Sequence, residues 1–386
     1  MIGDSHLRQL LWLLIITFSL SACLVENSDP TPSPAVDISQ KPTATVQTPN
    51  QEVNSSPEIH PLTTTGPAPE IAPSPVKESQ VQMLPLEGPI AIPRAEISGM
   101  AWHGDTLIIL PQYPHKFPSY QGSGSVFTLH KSDILASFDP GPEPLSPSQL
   151  PLFNSNQLAD LPGYEGFEAV AVSGNQIYFS IETNFQGMMQ GYMIQGTFLE
   201  NGQGISLISD TLIEIPTPVQ IFNAAYESVF ITEGDAVALF EANGRELNPT
   251  PLAFQEHHPA IDFSPLEMAN IEYRLTDATA LDSEGRFWVM NIFFPLEFWY
   301  FTLNDPIRDQ FGQGLTHKAN IKVERLVELK YNQDRITLSG KPPLQIELDA
   351  DGNSRNWEAL VRLDGLGFLA MTDTYPETIL AFIPFP

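Results

Sequence analysis

The sequence predicts an all-β fold, a β-propeller of five four-stranded blades, with six as the alternative count, following a signal peptide and a disordered tether. Three observations predict it. One strand–turn–strand pattern recurs five times: ISGMAWHGDTLIILPQ, FEAVAVSGNQIYFSIE, YESVFITEGDAVALFE, TDATALDSEGRFWVMN and WEALVRLDGLGFLAMTD. The turns carry Gly104-Asp105, Gly174-Asn175, Gly234-Asp235, Glu284-Gly285 and Asp364-Gly365, residue types that tolerate positive φ in hairpins. The flanking segments are rich in Val, Ile, Phe and Leu, as strands buried on both faces must be. The repeats begin 70, 59, 50 and 81 residues apart, enough chain for a four-stranded blade each.

The elements follow in order. Residues 10–22, LLWLLIITFSLSA, are an apolar stretch behind Arg8, too short to span a bilayer, and residues 1–22 read as a signal peptide. Residues 20–23, LSAC, are similar to a bacterial lipobox. The likeness implies cleavage before Cys23, lipid on its thiol and attachment to a bacterial membrane, at the cell surface or facing the periplasm. Cys23 is the sole cysteine, so no internal disulfide can form. Residues 23–80 are rich in Pro, Ser and Thr and read as a spacer.

Residues 81–386 are the propeller. Between the repeats, SVFTLHK, ISLISDTLIEI, KVERLVELKY and RITLSG supply outer strands. Only TILAFIPF follows the last repeat, so QMLPLEGPIAI near the start of the domain is expected to complete that blade and close the ring. The long interval between residues 292 and 357 is where a sixth blade would lie.

The chain has 46 acidic against 18 basic residues, a net charge of -28. Such a surface repels nucleic acid and anionic headgroups, suits a soluble extracytoplasmic monomer, and favours cations. A polar residue heads each repeat: Ser98, Glu168, Glu227, Asp277 and Glu358. If these open the inner strands, they form a ring at one mouth of the axial channel. Clustered carboxylates stay ionised only if something compensates them. An all-oxygen set without a Cys–His cluster points to one hard axial ion, calcium. The alternative is a ring of structural acids bonded to backbone or water.

A second set lies fourteen or fifteen residues on, at Gln112, Glu182, Glu241, Asn291 and Asp373. Glu182, Glu241 and Asp373 are the candidates to orient or deprotonate a water beside a metal. Arg94, Arg274 and Arg355 precede ring positions by three or four residues, and His115 and Lys116 follow a second strand, so all five are candidates to grip a small anionic ligand. For the arginines, ion pairing with the acids is the competing role. Tyr113-Pro114, Phe294-Pro295, Tyr375-Pro376 and the run FFPLEFWYF flank the mouth, either as a stacking platform or as packing. His257-His258 is expected in an exposed loop. The sequence contains no GxSxG, phosphate loop or dinucleotide fingerprint.

The acid-headed strands and the closing NWEALV and GFLAMTDTYPETILAFIP resemble the bacterial phytase-like propeller family associated with esterase-like activity, over roughly residues 85–386. The ring order is also similar to that of calcium-activated nucleotidases, which implies a five-bladed propeller with one axial calcium. Two departures stand out. Asp277 occupies a position that is serine in those enzymes, and PQYPHK with Gln112 replaces their acidic Asp-Asp-Arg stretch. Two functions follow as expectations: a metal-dependent hydrolase of phosphoesters or related esters, or a non-catalytic binding module with a structural ion.

Overall fold

The computed structural model describes residues 76–141, 143–257, 262–298, 300–350 and 354–385. The signal segment, Cys23, nearly all of the spacer and His258 lie outside them.

The fold is an all-β propeller. Its described strands make five antiparallel meanders, each begun by one of the repeated hairpins. The first runs Ile97–His103, Thr106–Pro111, Gly124–His130, Ser148–Phe153. The second runs Tyr164–Ser173, Gln176–Phe185, Met188–Phe198, with Ile205–Leu207 and Ile213–Ile215 both on its outer edge. The third runs Ser228–Thr232, Asp235–Leu239, Leu252–His257, Asp262–Met268. The fourth runs Arg274–Ala278, Arg286–Phe293, Val323–Asn332, with Arg335–Leu338 and Leu344–Ile346 outside. The fifth runs Trp357–Leu363, Gly367–Thr372, Leu380–Pro384, and Gln82–Leu84 pairs antiparallel to its last strand. The N-terminal segment therefore supplies the closing strand. The chain between residues 292 and 357 is taken up by outer strands of the fourth meander.

Inner strands pack side by side in cyclic order, first to second and so on, with the fifth returning to the first. The core repeats that closure. Among the described residues, five apolar clusters join neighbouring meanders, four of them two apiece and one the second, third and fourth. Strand periodicity explains how one strand feeds two clusters. Val170 and Phe179 face the first meander, whereas Ala169, Ala171 and Tyr178 face the third. Trp288, Leu326, Trp357 and Phe368 fill the space between the fourth and fifth. The inner strands approach closely: a Cβ at Gly99 would stand 3.1 Å from the backbone nitrogen of Val170. The hairpin turns use the positive φ expected of them, 60° at Gly104 and 58° at Gly174.

The chain before the closing strand is also fastened. Glu78–Ser79 pairs in parallel with Leu344–Ile346 of the fourth meander. The Glu78 carboxylate accepts the N–H groups of Thr316 (3.0 Å) and His317 (3.1 Å) and lies 2.7 Å from His317 Nδ1. Ser79 Oγ donates to the carbonyl of Pro384 in the fifth meander at 3.1 Å.

Candidate functional site: an axial cluster of acids

The heads of the inner strands carry a repeated defect. In the first meander Ile97 pairs with Pro111 and Gly99 with Leu110, so Ser98 is skipped. Glu168 is skipped in the second and Glu358 in the fifth. In the third, Ser228 pairs with Leu239 while the Glu241 N–H reaches the carbonyl of Ala225, a one-residue shift that takes in Glu227. Each is a β-bulge, whose extra residue leaves the ladder and is re-aimed. One residue per meander is thereby turned out of the sheet at the same end of the channel.

The fourth meander departs from the expected alignment. Its bulge skips Thr276, between Leu275–Asn291 and Asp277–Met290. The position equivalent to Ser98 is therefore Thr276, a hydroxyl residue, and Asp277 lies one step deeper. The Asp277 carboxylate accepts the N–H groups of Ala278 (2.7 Å) and Leu360 (2.6 Å), and of Met100. It ties the fourth, fifth and first meanders together across the channel and is not one of the acids at the mouth. Asn291 is likewise engaged below the mouth, donating to the carbonyls of Glu272 (2.9 Å) and Arg274 (3.0 Å). The sequence obscured this shift because Asp277 continues the pattern of acids and the fourth hairpin has a longer turn.

The remaining acids converge. Glu168, Glu182, Glu227, Glu241 and Glu358 are buried or nearly so, and Asp373 is half-buried beside them. Burial, then mutual repulsion, pushes their carboxyls up. Glu168 rises to about 8 despite a 2.9 Å hydrogen bond from Gln112 Nε2. Glu182, Glu227 and Glu358 lie well above the usual carboxylate range, and Asp373 is raised. Burial raises Glu241 as well, opposed by the charge of Arg274. Glu182 shares a hydrogen bond with Glu165, and Glu227 shares one with Glu241. Among the described residues, three buried oxygens at this end receive no donor when the acids are ionised: Ser98 Oγ, Glu227 Oε2 and Glu241 Oε2.

The expected cationic grip does not assemble. Arg274 binds Glu241 and Glu297 and donates to the carbonyl of Asn223 at 2.9 Å. Arg355 is buried against Glu324, 2.8 Å away, and lies over the Trp357 ring, away from the acids. Lys116 pairs with Glu96 and sits 4.1 Å over the Tyr113 ring, which also touches His115 edge-on. Arg94 is exposed. Tyr113 and Tyr164 meet edge-on at 6.4 Å above the acids. Burial and then the charge of Glu168 push the Tyr113 phenol up to about 12. Tyr375 is 51% exposed, and Leu296 and Phe298 in the aromatic run are exposed as well, so part of that run does not serve as packing.

The sequence reading missed Thr276, Tyr164, Glu165, Glu96 and Asn356. The signal for two of them was present: Glu96 and Asn356 both stand two residues before a bulge. Asn356 Nδ2 donates to Glu358.

A hard cation fits this cluster in kind. The donors are carboxylates and hydroxyls, and three of their oxygens are orphaned. Among the described residues, no group of three or more His, Cys, Asp or Glu side chains is gathered tightly enough to hold a metal as it stands.

No family model and no curated protein sequence matches the chain. Solved structures do, weakly. A putative glycoside hydrolase from Parabacteroides distasonis is 10% identical with a TM-score of 0.43, covering 83% of this chain and 95% of that one. A thermostable family-43 glycoside hydrolase is 11% identical with a TM-score of 0.41, covering 75% and 88%. An exo-1,5-α-L-arabinanase from a bovine ruminal metagenomic library is 9% identical with a TM-score of 0.41, covering 75% and 91%. No residue role or substrate is carried over at this level of similarity.

Proposed function

We propose that this chain is an extracytoplasmic, lipid-anchored propeller that binds one calcium ion on its axis. One observation carries the reading: six carboxylates converge at the mouth with Arg274 as the close compensating charge, and oxygens of Glu227 and Glu241 receive no donor when ionised. Calcium accepts such a set of oxygens, keeps them ionised and removes the repulsion. Glu168, Glu227 and Glu358, with the hydroxyls of Ser98 and Thr276, would hold it. Glu182 and Asp373 would orient its waters. Mouth-facing Tyr113 and Tyr164 would limit access. The likeness to phytase-like propellers and calcium-activated nucleotidases agrees with this reading.

At the axial site the geometry favours a bound ion without catalysis over phosphoester hydrolysis. A phosphoester needs positive side chains as well as a metal, and Arg274, Arg355 and Lys116 are already paired with acids. Exposed Arg94 at the same end is what a hydrolase would have left to use. In that second reading the ion would polarise the substrate oxygen while Glu182 or Asp373 held the attacking water.

Thermal unfolding in chelator and in millimolar calcium tests the site. Ligand at a hundred times its dissociation constant adds about 2.7 kcal/mol, roughly 4 °C for a domain of this size. The shift is expected to vanish in Glu168→Gln. An equal midpoint with and without calcium would remove the proposal. Anchoring through Cys23 is tested separately: Cys23→Ser should move the protein from the detergent phase to the aqueous phase. Gel filtration at low concentration should return a monomer.

A further inference from the structure

The third meander carries a second constellation, at the end of the sheet away from the acids. Asp235 opens its second strand beside the turn at Gly234, His257 ends its third, and Ser264 lies in its fourth. Register puts all three on one face. His257 is paired with Asp262, Gln255 with Ser264, and Val237 with Gln255, and side chains two residues apart along a strand share a face. His257 thus ends a strand, contrary to the loop expected for it.

The atoms are ordered as well as close. His257 Nδ1 lies 3.1 Å from Asp235 Oδ2, and Nε2 lies 2.7 Å from Ser264 Oγ. An ionised carboxylate only accepts hydrogen bonds, so a neutral His257 ring carries its proton on Nδ1 and leaves Nε2 to accept from the serine hydroxyl. Gln255 Nε2 donates to the same Asp235 oxygen at 2.8 Å and fixes that carboxylate. From the fourth meander, Tyr331 brings a hydroxyl into the network, donating to Gln255 Oε1 at 3.2 Å. This is the sequence of contacts that activates a serine: nucleophile, base, and an acid that sets the base's tautomer. Such a set is recognised by geometry, not by chain order or a GxSxG turn.

We propose that Ser264, His257 and Asp235 form a nucleophilic site that hydrolyses carboxylic esters of short acyl chains, independent of the axial acids. Ser264 Oγ adds to the ester carbonyl carbon while its proton passes to His257 Nε2. Breakage of the ester C–O bond releases the alcohol, which takes that proton and leaves an acyl-serine. A water, deprotonated by Nε2, then displaces the serine oxygen, which takes that proton back from Nε2, and the carboxylic acid is released. Ester and water become acid and alcohol, with no other reactant. The His257 side chain is 43% exposed and Asp235's is 26%, so the site is an open sheet face. An open face fits a short acyl group better than one that must be buried.

The test uses the full chain, a fluorophosphonate probe and p-nitrophenyl acetate. Peptide mass spectrometry should find the phosphonyl adduct on Ser264. Ester cleavage should fall by about 100-fold or more in Ser264→Ala and in His257→Ala, the scale of a lost nucleophile or base. The double variant should be no slower than either single one, as for residues acting as a unit. Asp235→Asn should slow adduct formation while leaving the label on Ser264. No adduct on Ser264, or equal cleavage by Ser264→Ala and the unaltered protein, overturns the proposal. The adduct is mapped on the unaltered protein, so its presence or absence does not depend on any variant folding.

Discussion

Two acids two repeats apart show how position decides the role of a carboxylate. Glu168 is the extra residue of a bulge and meets other acids; Asp277 lies one residue past its bulge and meets backbone N–H groups. Removing Asp277 strands two or three buried donors, at roughly 1–3 kcal/mol each. Asp277→Ala is therefore expected to lower unfolding stability by about 3 kcal/mol in urea titration, with the calcium-induced shift intact. Glu168→Gln should do the reverse: no loss of stability in chelator, and no calcium response. The raised carboxyls also fix a pH dependence. A carboxyl whose folded pKa exceeds its unfolded value binds protons preferentially in the folded state. In chelator, stability is then greatest below the ordinary carboxylate range and declines as pH rises through about 8, the value for Glu168. Thermal midpoints from pH 5 to 8 check this; a midpoint that climbs over that window contradicts it. Calcium binding should release protons in the same window, readable by calorimetry in two buffers of different ionisation enthalpy.

At the level of strands, the closing segment carries the most testable load. Gln82–Leu84 covers the outer edge of Leu380–Pro384, and Leu84 is buried in the cluster between the fifth and first meanders. An uncovered strand edge is a template for pairing with another chain. Deleting residues 76–86 should lower the thermal midpoint and produce oligomers on gel filtration. Much of this level was legible in the sequence. Turn chemistry and apolar runs located the inner hairpins, and the short tail after the last repeat implied a donated strand. The bulges were not legible, because a one-residue register shift leaves no mark in hydrophobic pattern. It decided the site nonetheless, exchanging Asp277 for Thr276. The pairings of Arg274 and Arg355 were equally hidden, since Glu241, Glu297 and Glu324 lie far from them in the chain. Asp235, His257 and Ser264 escaped notice for a similar reason: three strands bring them together, and no local motif does.

The whole molecule combines a closed ring with a charge of -28. Self-repulsion on that scale is screened as the Debye length falls from about 30 Å at 0.01 M salt to about 8 Å at 0.15 M. Sodium chloride should raise the thermal midpoint gradually over that range. Calcium at matched ionic strength should add a saturable increment, which separates site binding from screening. The ring also has a mechanical consequence. A pull on the chain from its N-terminal side does not reach the closing strand first. It meets Glu78, hydrogen-bonded to Thr316 and His317 on the fourth meander, and then Ser79, bonded to Pro384 on the fifth. Tension is thus taken up by two neighbouring blades at once, loading their seam in shear before Gln82–Leu84 can peel. Under force the propeller should behave as one that is buckled before it is zipped, and Glu78→Ala should lower the force at which it opens while leaving its equilibrium assembly in place.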